Sequence, residues 1–223
     1  MLIEVWSDVT CPWCYIAHGR FEQVLDGFPH RDQIEVVQRS FELDPGRDPA
    51  NVQPLADFLR ERFGPAGAAM EERIAEQATH EGLAYRTDRH VGSTLDAHRL
   101  LHLAKDEGRQ GEVLALLFDT NFGEAATIFT RDALVDLATR AGFAPGAARQ
   151  VLDQPDAYLG AVRRDEEAAW KLGAQGVPFF VFDGRHTLTG AQPVAALRAM
   201  LDRAWAERSS TGHPAPPSLG VRP

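Results

Sequence analysis

The chain has 223 residues, 44% hydrophobic and 25% charged, the balance of a water-soluble globular protein able to bury one core, or one core carrying an insertion. Lys and Arg number 23 against 32 Asp and Glu, a net charge of −9, and no basic run could neutralise a row of phosphates, so nucleic acid is excluded as a partner. No apolar run reaches the roughly 18 residues of a membrane span, and no membrane partner is expected.

The opening "MLIEVWSD" lacks a basic n-region, an apolar h-region and a cleavage site, so a cytoplasmic location is expected. Leu2 to Ser7 reads as a strand. "WCYIAHGRFEQVLDGF" then places Tyr15, Ile16, Phe21, Val24 and Leu25 at the steps of one buried helical face, ending at Gly27. Ile34 to Leu43 is the next strand, which makes a βαβ unit with parallel strands. From Pro54 to about Gly173 the chain reads as almost wholly helical, with breaks at Gly64-Pro65, Gly82, Gly108, Gly142 and Pro155. Ser93 or Thr94 can cap one of these helices and Thr130 another. Strands return at Phe179 to Phe182 and His186 to Thr189, flanking the hairpin signal Asp183-Gly184. A last helix begins at Pro193, and the Pro-, Gly- and Ser-rich stretch from Arg208 is expected to be disordered. The fold class is α/β: a first half over 1–50, an all-helical insertion over 51–172, a ββα second half over 173–207 and a tail over 208–223.

Both cysteines lie in "SDVTCPWCYI", with two residues between them. If Cys11 is the N-cap of the first helix, Pro12 takes N1, where its missing N–H costs nothing, and Cys14 falls at N3. The Cys11 sulfur can then accept an orphan N–H, and the positive end of the helix dipole favours a thiolate there. Cys14, one turn in, is placed to attack the same sulfur, so one piece of backbone supplies an attacking and a resolving thiol. Two other uses remain open at this level. A zinc site would need four ligands, and His18 is a third with no evident fourth; or the two cysteines are inert core residues. A second motif bears on the choice. In "GVPFF", Pro178 stands at a strand start, and if that turn lies beside Cys11, the Val177 backbone can pair with an extended peptide.

The stretches "WSDVTCPWCYI", "RSFELDP", "STLDAHRL", "GVPFFVF" and "TGAQP" resemble the DsbA family of thiol-disulfide oxidoreductases, and within it the FrnE-like cytoplasmic branch. The resemblance implies a thioredoxin fold with a helical insertion, a cis proline at Pro178, Cys11 as the solvent-facing nucleophile and Cys14 behind it. Pro12, Trp13, Val177 and Pro178 are the expected substrate contacts; the resemblance further implies that His98 faces the groove, and Gln192, which reads as a turn and cap residue before Pro193, stands where such proteins place "GAQ" near the dithiol. Ser93 stands where such proteins have Asn, Ala17 where they have Gly, and the second Cys pair of some FrnE-like proteins is missing. Trp13 replaces the His of strongly oxidising members, and an indole, donor-only and uncharged, suits a less oxidising pair.

Other residues read more plainly. His18 is a solvated surface histidine or an aid to the thiolates; His98 and His102, one turn apart, are a helix edge rather than a metal pair. Asp8 forms an Asx turn or moves the Cys14 proton, and Asp165, Glu166 and Glu167 are a solvated helix face. The expected activity is reduction or isomerisation of protein disulfides, with disulfide-containing proteins or small thiols as partners, no metal and no organic cofactor, and glutathione or another cellular thiol as electron donor. Two alternatives stand beside it: a glutathione-dependent, kappa-type isomerase or transferase acting on a small aromatic molecule, and a peptide-binding holdase that does not use its sulfur.

Overall fold

The structure is a computed structural model that describes residues 1–144 and 146–211. Its main sheet has four strands, β1 (Leu2–Ser7), β2 (Glu35–Ser40), β5 (Phe179–Phe182) and β6 (His186–Thr189), in the order β2-β1-β5-β6. β1 and β2 run parallel with Leu2 opposite Glu35, and α1 (Pro12–Asp26) is the crossover between them; β5 is antiparallel to both β1 and β6. Arg185 N–H donates to Phe182 O at 3.0 Å across Asp183 and Gly184, both at positive φ, so the Asp-Gly signal makes the tight turn it predicts.

The central strands are buried on both faces, and the two-residue period divides their side chains cleanly. Ile3, Val5, Phe180 and Phe182 face α1 and the last helix, α9 (Val194–Thr211), where they meet Phe21, Leu25, Leu197 and Leu201. Trp6, Phe179 and Val181 face the other way, toward Phe41, Ala169 and Ala174.

Between β2 and β5 lie α2 (Leu55–Phe63), α3 (Ala66–His80), α4 (Leu95–Asp106), α5 (Gln110–Phe118), α6 (Arg131–Arg140), α7 (Ala147–Asp153) and α8 (Leu159–Lys171). Leu100, Leu101, Val113, Leu117, Phe118, Leu137 and Leu152 form one core among them, and Cys11, Cys14 and Tyr15 belong to that same core. The start of α1 is therefore packed by the helical segment rather than exposed above the sheet. α3 crosses close to α2 at Gly67, where a Cβ would sit 2.7 Å from the Leu59 carbonyl oxygen.

Several expectations are corrected. The second strand ends at Ser40, because from Phe41 onward the chain leaves β1 and its amides turn to carboxylates, Glu42 N–H to Glu166 and Leu43 N–H to Asp8. The helical segment contains a short ladder, β3 (Gln53–Pro54) with β4 (His90–Val91), and a π-helical turn at Asp119–Gly123. Thr130 caps α6 by accepting from Ala133 N at 3.2 Å, whereas Thr94 occupies the cap of α4 without a side-chain bond. Arg208 belongs to α9, which runs on to Thr211, and the rest of the expected disordered tail lies outside the described residues. Of the acidic run on α8, only Glu167 is solvated: Asp165 is buried against Arg39, and Glu166 pairs with Arg163 and the Glu42 amide. Among the described residues no helix is long and apolar enough to cross a membrane.

Candidate functional site

The site is built where β1 ends and α1 begins. Asp8 turns the chain: its Oδ1 accepts from Thr10 N at 3.2 Å, the Asx turn expected there, and its backbone carbonyl accepts from Cys11 N at 3.1 Å. Cys11 is the N-cap of α1 in extended backbone, with Pro12 at the first helical position. Its sulfur does not accept a helix N–H, as the cap argument expected; the thiol instead points across the gap to the second half of the fold and donates to the Val177 carbonyl oxygen at 3.8 Å. The Val177–Pro178 peptide bond is cis, and the Val177 N–H finds no acceptor among the described residues.

Cys14 lies one turn further in. Burial pushes its thiol well above the ordinary range, and a hydrogen bond donated to Cys11 adds to the shift, which holds the proton on the inner sulfur. Cys11 is not the solvent-facing sulfur expected: it is 4% exposed against 2% for Cys14, and both are buried, but the two open onto different spaces. Cys11 lines a groove of about 480 Å³, while Cys14 borders an internal cavity of about 10 Å³. The groove runs from Cys11 and Val177 to the α2–α3 hairpin, and three large apolar side chains on it are open to solvent: Trp13 at 42%, Leu43 at 50% and Phe63 at 46%. Among the described residues no cluster of three or more His, Cys, Asp or Glu side chains is arranged to hold a metal ion.

A dithiol at a helix start, the inner sulfur sealed, opposite an X-Pro turn on a βαβ…ββα frame, is the arrangement that a family comparison can decide. The model for the DSBA-like thioredoxin domain matches residues 2–202. The chain belongs to that family. The chain is similar to a probable DsbA oxidoreductase from Streptomyces coelicolor, 46% identical, with a TM-score of 0.89 over 100% of this chain and 94% of that one. Two more distant likenesses concern the fold alone. Cytosolic disulfide reductase DsbM from Pseudomonas aeruginosa, solved with GSH, is 20% identical with a TM-score of 0.64 over 92% of this chain and 100% of that one. A 2-hydroxychromene-2-carboxylate isomerase is 13% identical with a TM-score of 0.67 over 94% of this chain and 98% of that one.

Within this DSBA-like domain the candidate residues divide. Cys11, Pro12, Trp13 and Val177 share the groove, and Pro178 borders the small cavity with Cys14. His98 does not face the groove. It is 1% exposed, with Nε2 3.7 Å from Asp8 Oδ1. Gln192 does not reach the dithiol either: its side chain donates to Thr189 O at 2.8 Å and its own carbonyl accepts from Arg20 at 3.2 Å, a turn residue ahead of α9. His102 turns to Ser40 and Asp165, away from His98, so the two histidines share no ligand.

Residues that no local motif announces complete the site. Asn121, fully buried on the π-helical turn, donates to the Val9 carbonyl at 3.2 Å and so fixes the loop before Cys11. Phe122 beside it stacks on Tyr15 at 4.8 Å and carries the Arg89 guanidinium on its ring at 4.6 Å. π-helical turns gather at functional sites, but nothing in "DTNFG" marks one in the sequence.

His18 is neither a solvated surface group nor a charge for the thiolates. It lies against the Phe118 ring at 5.5 Å, and burial pushes its pKa down to about 4, so it is neutral near pH 7. An unfolded histidine titrates near about 6.5, so across the window from there down to the folded value the unfolded chain binds a proton that the native state refuses. Stability therefore falls as pH drops through that window. His18→Leu is expected to recover at most about 3 kcal/mol of this acid loss, read as the difference in denaturant unfolding between pH 7 and pH 4.5 for the two proteins.

Proposed function

We propose that the protein is a cytoplasmic reductase or isomerase of protein disulfides, of the FrnE-like kind, working through Cys11 and Cys14. The observation that carries the reading is the division of the two sulfurs: one stands on an apolar groove, the other is closed off beneath it and hydrogen-bonded to it. In the reductive direction the Cys11 thiolate attacks a substrate disulfide, one substrate thiolate leaves, and a mixed disulfide forms. Cys14 gives up its proton and attacks the Cys11 sulfur, the second substrate thiolate departs, and the electron pair has passed from the dithiol to the substrate. No organic cofactor takes part. An extended peptide pairs with the free Val177 N–H while its apolar residues lie against Trp13, Leu43 and Phe63.

The electron donor is a small thiol such as glutathione. Arg62 supports this: it lines the groove, exposed, with no ion pair or hydrogen bond among the described residues, a cation available to a carboxylate. The likeness to a cytosolic disulfide reductase solved with GSH agrees with both the donor and the location.

The test is turnover of a self-quenched, disulfide-linked peptide with glutathione as reductant. Wild type is expected to release fluorescence continuously and Cys11→Ser to give only the rate of glutathione alone. The other two readings place different demands on sulfur. A kappa-type isomerase would work without Cys14, and a holdase would suppress client aggregation with both cysteines replaced by Ser.

A further inference from the structure

The groove that holds Cys11 carries a charge pattern that the thiol exchange does not use. Three carboxylates line it, and each already has donors. Asp8 takes the Leu43 and Thr10 amides, and Asp44 faces Arg47 at 3.8 Å. Glu71 accepts from Tyr85 Oη at 2.7 Å and from Arg89 Nη2 at 3.2 Å. What remains unmet on the same walls are donors.

Arg89 is the clearest of them. It lines the groove yet is 2% exposed, and its Nε and Nη1 are buried without a hydrogen-bond partner. Its guanidinium lies 4.6 Å over the Phe122 ring, but that contact uses the flat face and leaves the in-plane N–H groups unsatisfied. A buried arginine kept for packing normally has acceptors for those groups. Nη2 carries all the bonding: it donates to Glu71 Oε1 and, at 3.1 Å, to Tyr85 Oη. The ion pair is therefore not the two-bond fork of an arginine and a carboxylate built for each other.

Two further features converge there. α4 starts on the same wall, where Gly92 and Thr94 line the groove; Thr94 gives no side-chain cap, and the N–H groups of Leu95, Asp96 and Ala97 find no acceptor among the described residues. An uncapped helix start favours an anion. Glu71 has space to move into, because it also borders a second cavity of about 430 Å³, lined by Gly64, Pro65 and Ala68. Few contacts separate this corner from the dithiol. The Phe122 ring under Arg89 stacks on Tyr15 at 4.8 Å, and Tyr15 N–H donates to Cys11 O at 3.2 Å.

We propose that Arg89 sets the specificity of the groove: it receives a carboxylate carried by the disulfide substrate near its reactive sulfur, and Glu71 holds that place until the substrate arrives. Nε and Nη1 are closed to solvent with Glu71 in position, so the substrate carboxylate enters as Glu71 swings toward the second cavity, and it takes over the guanidinium near the start of α4. No bond to sulfur changes in this step; it selects which disulfide Cys11 meets. The inference rests on the dithiol reading and names its substrate class, acidic disulfides. The carboxylate belongs to an Asp or Glu beside a client cysteine, or to a glutathionyl group.

The test uses peptides of one sequence, each with a single cysteine activated as its pyridyl disulfide and a Glu or Gln placed one to four residues away. They are mixed with reduced protein, and pyridinethione release is followed by stopped flow over a range of peptide concentrations. At the favoured position wild type is expected to bind the Glu peptide about tenfold more tightly than the Gln peptide, with the limiting rate unchanged. Arg89→Gln should abolish that difference. Glu71→Gln, which removes the competing carboxylate, should enlarge it about fivefold, an increase that a merely structural ion pair does not produce. Activated glutathione and its diester form a second arm: a preference for the free acid there, lost in Arg89→Gln, in place of one among the peptides assigns the subsite to glutathionyl disulfides. Equal affinities in both arms overturn the proposal, as does a Glu71→Gln protein whose preference shrinks. Wild type releasing no more thione than the protein with both cysteines replaced by Ser overturns the dithiol reading, and the proposal falls with it.

Discussion

A Cys14→Ser protein is expected to stop after the first thiol exchange and remain attached to its substrate through Cys11. In the proposed mechanism the inner sulfur, 2% exposed, attacks only its neighbour, and that attack is intramolecular. Intramolecular groups act at high effective concentration: even at a modest value of about 10 M, replacing Cys14 by an external thiol at about 10 mM slows release by roughly a thousandfold. Non-reducing gels and mass spectrometry of Cys14→Ser expressed in the source cell should therefore find client proteins joined to Cys11, while Cys11→Ser, with the buried thiol alone, should capture none. Equal capture by both variants, or resolution as fast as wild type in Cys14→Ser, would remove the assignment of attacking and resolving sulfurs.

The placement of the two cysteines at the start of α1 was legible because it is local. Helix start, proline at the first position and a two-residue spacing occupy consecutive residues, and the ββα return announces itself by Val-Pro and Asp-Gly. What surrounds the dithiol was not legible, because it is assembled from residues far apart in the chain. Asp8, Glu42, His98 and Glu166 come from four separate segments, and no periodicity relates them. The misreading of Asp165 and Glu166 has the same origin: a run of acids is solvated by default, and only the arrival of Arg39 and Arg163 makes burial tolerable. His98 and Gln192 were carried to the groove by resemblance, but the ring of His98 points inward from α4 and Gln192 folds back on its own turn. Phe63 and Leu43, two of the groove's three exposed apolar side chains, read as an ordinary helix end and strand end; only the packing of α2 and α3 beside the motif gives them a place.

The second large effect is expected from Arg39→Met, beneath the sheet. Arg39 is buried between two carboxylates: its Nε donates to Glu4 at 2.9 Å and its Nη1 to Asp165 at 3.2 Å. Asp165 also accepts from the Ser40 amide at 3.0 Å and lies 3.3 Å from the His102 ring, while its backbone carbonyl takes the Trp6 indole N–H at 2.7 Å. Burial works against ionisation of Asp165, yet His102, Arg39 and the Ser40 amide together hold its carboxyl below the usual range. A carboxylate lowered in the folded state contributes stability above its unfolded value, near about 4, and loses that contribution as pH falls through the folded value. Methionine preserves much of the packing volume but strands Glu4 and Asp165, so at pH 7 the variant is expected to be about 3–5 kcal/mol less stable. The sign of the pH dependence then reverses. Stranded carboxylates rise in pKa and escape by taking protons, so the deficit should narrow as pH is lowered toward 5. Denaturant unfolding of both proteins at the two pH values measures it, and a deficit under about 1 kcal/mol, or one that widens on acidification, would count against a stabilising ion network. The consequence reaches the dithiol, because the chain leaving β2 is held in turn by Asp165 at Ser40, Glu166 at Glu42 and Asp8 at Leu43. Loosening its first anchor frees the segment that supplies Leu43 both to the groove and to the Asp8 carboxylate, so Arg39→Met should also slow disulfide turnover more than its loss of folded population accounts for.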